Sequence, residues 1–461
     1  MPYSLNDTIC AISTPFGHGG IGLIRVSGPA SIDITSKIFK SSKPLSNAPS
    51  HTVHHGLIEN GSVIIDEALV TVFRNPSSFT GEEATEISAH GGPVILNMIL
   101  NLCISNGARQ AGPGEFTFRA FVNGKMDLSR AEAVCEMINS KTEFSLISAA
   151  QRLTGALTGK VAAWKLDLLD AVSIVEAFLD HPEEELVLPA DTAARVENLL
   201  NEMSVLIERS ARYPMLKDGI KIAIAGRPNT GKSSLFNALL EQDRAIVTEH
   251  PGTTRDIIEE TIDVRGVPVI LSDTAGLREA SSGPVESIGQ RKAFEKLQGS
   301  DIVFFVVDAS AEANDDDVFA YKAVENAFAG TIAAVLNKID LPAVLTEQAA
   351  LRIVPRAQKF IRLSALKKTG IKEVEEFICS WFTNSGPQLE NSLLANSRQK
   401  ASLERTRAAI EKALLCLRNS NSDELVSFNL REALNALGEI TGETVTEDIL
   451  DNIFSKFCIG K

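Results

Sequence analysis

Cysteine is scarce in this chain, 6 in 461 residues, and none stands at the spacing of a metal or redox centre. That excludes a disulfide-stapled scaffold and fits a reducing cytoplasm. Positive charge is in deficit as well. Lys and Arg number 45 against 59 Asp and Glu, a formal net charge of -14. The chain as a whole is therefore no basic nucleic-acid binder, and any RNA contact needs a local basic face or a partner. Long apolar runs are missing too. Stretches such as residues 302–307 fall far short of the ~20 residues that a membrane span requires, and residues 1–10 show no basic-then-apolar leader. The expectation is a cytoplasmic protein with no membrane attachment. What is present is apolar content, 44%, enough for real cores, and a length whose prior is about three domains.

The chain is organised around Gly226-Arg227-Pro228-Asn229-Thr230-Gly231-Lys232-Ser233-Ser234. It fits G-x-x-x-x-G-K-[ST], the loop whose backbone N–H groups wrap a polyphosphate and whose glycines permit close approach. Lys232 brings a point charge to the β- and γ-phosphates, and the Ser233 hydroxyl suits Mg²⁺. Residues 220–225 read as a buried strand before it. Residues 234–240 open a helix whose N-terminus favours anions.

Later motifs decide the nucleotide. Asp273-Thr274-Ala275-Gly276 ends one apolar run, where a carboxylate can hold Mg²⁺ through water and a glycine N–H can meet the γ-phosphate. Asn337-Lys338-Ile339-Asp340 ends another, and Asp340 is placed to accept two hydrogen bonds from guanine that adenine cannot offer. Ser364-Ala365-Leu366 closes a third strand. Four such motifs in order resemble a Ras-like GTPase domain over about residues 217–382.

Before that domain, residues 1–118 mix short strands and helices as an α+β domain. Asn60-Gly61 between two alternating runs predicts a type I′ hairpin, and residues 93–105 a helix with proline in its first turn. The run Gly17-His18-Gly19-Gly20-Ile21-Gly22 satisfies G-x-G-x-x-G, but a strand follows where a dinucleotide site needs a helix. His51, His54 and His55 lack a carboxylate or cysteine spaced to complete a metal site, and surface strand histidines are the better reading. Residues 119–216 turn helical: Leu128, Ala131, Val134, Cys135 and Ile138 recur at helix spacing, as do Leu166, Leu169, Ile174 and Phe178. Residues 385–461 are helical again. The architecture expected is multidomain α/β and α. One discontinuous helical domain is built from both flanks, and a P-loop GTPase domain, residues 217–384, is inserted into it. Arg398, Lys400, Arg405 and Arg407 read either as an RNA contact or, better, as a solvated helix face.

The two ends speak together. Phe457-Cys458-Ile459-Gly460-Lys461 fits a prenylation signal poorly. Taken with Gly19-Gly20-Ile21-Gly22, Ser78-Phe79-Thr80-Gly81-Glu82, His90-Gly91-Gly92-Pro93 and Pro113-Gly114-Glu115-Phe116-Thr117, it resembles the MnmE (TrmE) family of tRNA-modification GTPases, from residue 7 to residue 461. The resemblance implies an N-terminal domain that binds folate and dimerises. It also implies a flavoprotein partner, MnmG, joined as a heterotetramer, and attachment of a carboxymethylaminomethyl-type group to the wobble uridine of certain tRNAs. By motif match a formyl-tetrahydrofolate would meet Arg25, Glu86, Lys125 and Lys461, and Cys458 would be essential to modification. On the residues alone an Arg25–Glu86 structural ion pair and an ordinary buried thiol at Cys458 stay open.

In Ras-like enzymes a glutamine after the D-x-x-G glycine orients the attacking water; here Leu277 stands there. The resemblance points instead to Glu286 in Val285-Glu286-Ser287-Ile288-Gly289, one residue displaced by an insertion near Gly283-Pro284. It further implies K⁺ held by Asn229, Thr248, His250 and Thr253, with Thr254 joining Ser233 on Mg²⁺. Two rival functions remain at this stage, a GTPase switch in ribosome assembly and a helical scaffold with a vestigial GTPase. A bound folate and measured turnover discriminate them.

Overall fold

The computed structural model describes residues 3–140, 142–179, 189–211, 213–242, 259–273, 294–385, 393–418 and 423–461. The chain divides into two compact units. One gathers Met1–Ile138, Ala149–Ser204 and Ala401–Lys461; the other gathers Asn139–Ser148 and Val205–Lys400. The N-terminal sheet and most of the expected helical segments thus share a unit.

In that first unit seven strands form one sheet: β1 Ile9–Ile12, β2 Gly19–Ser27, β3 Phe39–Ser41, β4 Thr52–Asn60, β5 Val63–Phe73, β6 Ala84–Gly91 and β7 Arg109–Gln110. Their order is β3-β4-β5-β6-β2-β1-β7, and only the β1–β7 pair is parallel. Alternation sorts the two faces. Ile24, Val26, Val70, Val72 and Ile87 are fully buried and pack with residues of the helices Ser31–Ile38 and Pro93–Ser105. Arg25 and Glu86, paired in register across β2 and β6, occupy the opposite face. The glycine run at residues 17–22 enters β2 and builds no dinucleotide site.

The β4–β5 hairpin is present, but its turn is not type I′. Asn60 pairs with Val63, so the two loop residues are Gly61 and Ser62. Only Gly61 has positive φ, 61°, and type I′ needs both central residues there. After Ile58–Asp66 the pairing resumes at Glu59–Ile64, which leaves Ile65 of β5 as a bulge residue just before the turn. The nearby histidines serve the strand surface: His54 bonds Thr52, and His55 pairs with Glu67.

The helices of this unit include Leu128–Asn139, Ala156–Leu179, Asp423–Thr441 and Glu447–Phe454. Ala156–Leu179 packs on Asp423–Thr441, and the pairs Glu176–Arg431 and Lys165–Glu443 show that they run antiparallel. Its buried stripe is Leu157, Val161, Trp164, Leu168, Ala171, Val172 and Val175. Leu166 and Leu169, read from spacing as part of the apolar pattern, are 68% and 45% exposed. This helix is apolar nearly all round, so periodicity could not choose the stripe; its packing partner did. On the helix Ser397–Arg418, Arg405 is committed to Glu439 and Arg407 faces Glu411.

The second unit holds a six-stranded sheet, β8 Ile220–Ala225, β9 Glu259–Val264, β10 Val267–Asp273, β11 Ile302–Asp308, β12 Thr331–Asn337 and β13 Lys359–Arg362. The order is β13-β12-β11-β8-β10-β9, parallel except for the β9–β10 hairpin. All seven residues of β11 are buried, as a parallel strand covered on both faces requires. Phe144, from the short segment Asn139–Ser148, packs against this unit's core beside Phe382. Because β8, β10, β11, β12 and β13 run parallel, their C-terminal ends lie at one edge of the sheet, where doubly wound folds bind nucleotides. Among the described residues no helix is long and apolar enough to cross a membrane.

Candidate functional site

At that edge the phosphate loop follows β8 and leads into the helix Lys232–Gln242. Its glycines are needed where they stand. Gly226 has φ 141° and a Cβ there would lie 2.4 Å from the Val306 carbonyl oxygen; Gly231 has φ 92° and its Cβ would lie 2.2 Å from Asn337 Nδ2. Asn229 also adopts positive φ, 64°. Lys232 is buried and its Nζ donates to the Arg227 carbonyl at 2.8 Å; Thr230 Oγ1 donates to the same oxygen at 3.1 Å. Ser233 and Ser234 are exposed in the first helical turn, the position from which Ser233 could reach a phosphate-bound cation.

The Asn-Lys-x-Asp motif clamps this loop from the next strands. Asn337 Nδ2 donates to the Thr230 carbonyl at 2.9 Å, while its Oδ1 accepts the backbone N–H groups of Lys338 and Ala365 at 2.8 and 3.0 Å. Lys338, held at φ 67°, donates Nζ to the Asn229 carbonyl at 2.8 Å and to Asp308 Oδ2 at 2.5 Å. Burial raises the Asp308 carboxyl, but the Lys338 ammonium and the Ser310 donors outweigh it, and the group titrates below its ordinary value. Asp340 is exposed, and Ser364 Oγ donates to its Oδ1 at 2.6 Å. That hydroxyl orients the carboxylate that guanine would meet. Asp273 ends β10 opposite Ile224. Thr248, His250, Thr253, Thr254, Thr274, Ala275, Gly276 and Glu286 lie outside the described residues.

A second constellation forms on the N-terminal sheet. Arg25 Nε and Nη2 donate to Glu86 Oε1 at 2.9 and 2.8 Å, and the guanidinium lies 5.2 Å from the Phe79 ring centroid and 5.6 Å from that of Phe116. Phe116 in turn receives the end of the sequence. Its N–H donates to the Lys461 carbonyl at 3.1 Å, Gly114 N–H to Cys458 O at 3.3 Å, and Ser13 Oγ to Gly460 O at 3.0 Å. Pro113 and Ile459 form an antiparallel bridge. Backbone contacts therefore bring the segment Cys458–Lys461 against Gly114 and Phe116, and the Phe116 ring lies beside Arg25 and its partner Glu86. Lys125 stands one loop away, with Nζ on the Pro76 carbonyl at 2.9 Å and its stem against Gly81. The Cys458 thiol is exposed, which overturns the buried-thiol alternative.

Sequence reasoning missed what holds this constellation. Arg119 is fully buried and donates to Asp7 Oδ1 at 2.6 Å, Glu115 Oε1 at 3.1 Å and Glu82 Oε1 at 3.2 Å. Glu82 also accepts Ser27 Oγ at 2.7 Å. The motifs containing Thr80–Glu82 and Glu115–Thr117 are thus tied together by an arginine beyond both; its spacing of four from Glu115 on the helix Glu115–Val122 was the available signal. Burial raises the Asp7 carboxyl, yet Arg109 and Arg119 bring it below its ordinary value.

A doubly wound sheet with a glycine phosphate loop on one strand end and a guanine clamp two strands away defines a Ras-like P-loop GTPase. Comparison with known proteins gives the family. A family described as the MnmE helical domain matches residues 128–458, and one described as the GTP-binding protein TrmE N-terminus matches residues 8–125. The tRNA modification GTPase MnmE of Carboxydothermus hydrogenoformans is 40% identical over 466 residues, 99% of this chain and 100% of that protein. The protein of the same description from Bacillus subtilis is 39% identical over 464 residues, 99% and 100% of the two chains. Among solved structures, an Aquifex aeolicus Era variant bound to GDP and AlF4- is 24% identical over 41% of this chain and 66% of that one, with a TM-score of 0.30. The chain belongs to the MnmE family of tRNA modification GTPases.

Proposed function

We propose that this GTPase works as a homodimer in the cytoplasm with an MnmG-type flavoprotein, as a heterotetramer. Together they add a carboxymethylaminomethyl-type group to the wobble uridine of certain tRNAs. The observation that carries this reading is the docked end of the chain: an exposed thiol, Cys458, stands on the segment whose Lys461 oxygen accepts the Phe116 N–H, and the Phe116 ring lies beside Arg25. A GTPase switch without modification chemistry has no need of that arrangement. The site suits a formyl-tetrahydrofolate. Arg25 uses only Oε1 of Glu86, and among the described residues Oε2 has no hydrogen-bond partner, so it can accept from the N–H edge of a pterin. Lys125 and Lys461 suit an anionic glutamate tail, and the bound folate would supply a one-carbon unit.

The test uses a strain lacking the gene, complemented with Cys458→Ser, and mass-mapping of its wobble nucleosides. Modification should disappear while the purified variant still turns over GTP. Normal modification would leave the thiol without a chemical role; wobble nucleosides already fully modified in the strain lacking the gene would favour the ribosome-assembly reading.

In the nucleotide site Mg²⁺ would sit on Ser233 and Thr254, and K⁺ near Asn229 with the loop carrying Thr248, His250 and Thr253. Glu286 would orient the water that Leu277 cannot. The exposure of Asn229 at the rim of the phosphate loop supports a cation there. A loop shaped around potassium leaves sodium under-coordinated. Turnover in potassium should therefore greatly exceed turnover in sodium at equal ionic strength, and Asn229→Ala should abolish the difference. Equal rates in the two salts would sink the cation mechanism and leave the GTPase intact.

A further inference from the structure

We propose that Asp317 is a positioning residue of the GTPase, acting through Arg227 to fix the start of the phosphate loop. Neither the guanine clamp nor the phosphate motif contains Asp317. It is the third residue of the helix Asp315–Ala327, which follows β11, and only 1% of it is exposed. Arg227 Nε donates to its Oδ1 at 2.8 Å. Asn314 caps the same helix: its Oδ1 accepts the Asp317 N–H at 3.0 Å, and its own N–H donates to Asp317 Oδ2 at 3.4 Å. The carboxylate is thus fixed by the helix start before it meets the arginine. Burial pushes the Asp317 carboxyl above its ordinary value, and Arg227 offsets that only in part. A buried charge of this kind is kept ionised only beside its partner.

What Arg227 does next gives the pair its consequence. Its carbonyl receives both Lys232 Nζ and Thr230 Oγ1, so where this residue lies sets where the phosphate-binding ammonium starts. Pro228 behind it restricts its backbone to extended conformations, leaving the side-chain tether to choose its direction. The segment from Asp308 to Asp317 therefore backs the loop at two points. Asp308 reaches it through Lys338 on the Asn229 carbonyl, and Asp317 reaches it through Arg227. The first belongs to the guanine clamp; the second is independent of it and meets the loop two residues earlier.

Positioning of this kind should act on the rate rather than on affinity, since ground-state phosphates are held by many N–H groups. Asp317→Asn keeps an oxygen for the helix cap and removes the charge. In the full-length protein it should lower kcat for GTP at least about tenfold, within what a displaced reacting geometry commands, with GTP affinity and melting temperature close to wild type. Arg227→Gln, at a side chain 18% exposed, should give the same defect and carries the test if the buried variant fails to fold. The double variant should be no slower than either single, because residues acting as one unit are not additive. Asp317→Glu should recover part of the rate. Unchanged kcat in Arg227→Gln, losses that simply add, or a kcat that falls only in step with melting temperature would each overturn the proposal.

Discussion

Asp340→Asn should lose most of its affinity for GTP and gain affinity for xanthosine triphosphate. The reason lies in how the carboxylate is held. Ser364 Oγ donates to Oδ1 at 2.6 Å, and that donor persists in the variant, so the amide will keep its oxygen toward Ser364 and turn its nitrogen toward the base. Guanine presents two N–H donors to this edge. One acceptor becomes a donor, and a donor facing a donor leaves both unsatisfied. Hydrogen bonds to a charged group contribute about 1.5–3 kcal/mol each, and an orphaned partner costs a similar amount again. Losing both terms corresponds to roughly a hundredfold to ten-thousandfold in affinity. Xanthine carries a carbonyl where guanine carries its amine, so the reversed half of the pattern is met. Competition binding with a fluorescent guanine nucleotide against both triphosphates measures the change. Unchanged GTP affinity would remove the guanine assignment.

The nucleotide site was legible because phosphate and guanine dictate residue types that few other tasks share. Gly226, Gly231, Lys232, Asn337 and Asp340 stand where their motifs put them, each at the end of a strand that its own apolar run announced. Arg119 and Asp317 were not legible for the opposite reason. A buried charge is set by whichever partners the fold brings to it, and Asp317 meets Arg227 across 90 residues. The helix Ala156–Leu179 failed differently: with apolar residues on every side, nothing in its own sequence ranks Leu168 above Leu169. The hairpin turn shows a third kind of miss. Asn60-Gly61 is a strong local signal, but strand pairing, with a bulge at Ile65 in β5, takes Asn60 into the ladder opposite Val63 and leaves positive φ to Gly61 alone. Local preference chose a hairpin; strand pairing chose its turn.

The end of the chain offers the sharpest separation between nucleotide turnover and modification, because one glycine controls its docking. Gly460→Ala should abolish the proposed wobble-uridine modification while GTP hydrolysis continues. Gly460 has φ 95°, and a Cβ on it would lie 2.4 Å from the Ile12 carbonyl oxygen and 3.0 Å from Ser13 Cα. Both neighbours are backbone of β1 or its exit, so neither can rotate away as a side chain would. Three hydrogen bonds, from Ser13, Gly114 and Phe116, hold the segment Cys458–Lys461 in place. At about 0.5–1.5 kcal/mol net apiece they contribute a few kcal/mol together. The left-handed backbone alone costs an alanine on the order of 1–2 kcal/mol, and the overlap with Ile12 adds to it. The balance tips toward release. A released tail carries Cys458 away from Phe116 and Arg25, while the phosphate loop, which belongs to the other compact unit, keeps every contact described for it. Proteolysis of the tail, thiol labelling of Cys458, GTP turnover and nucleoside mass-mapping of the same variant separate the effects. Lost modification with faster labelling and cleavage is the expected result; normal modification with a released tail would show that Cys458 need not stand beside Phe116 for the chemistry.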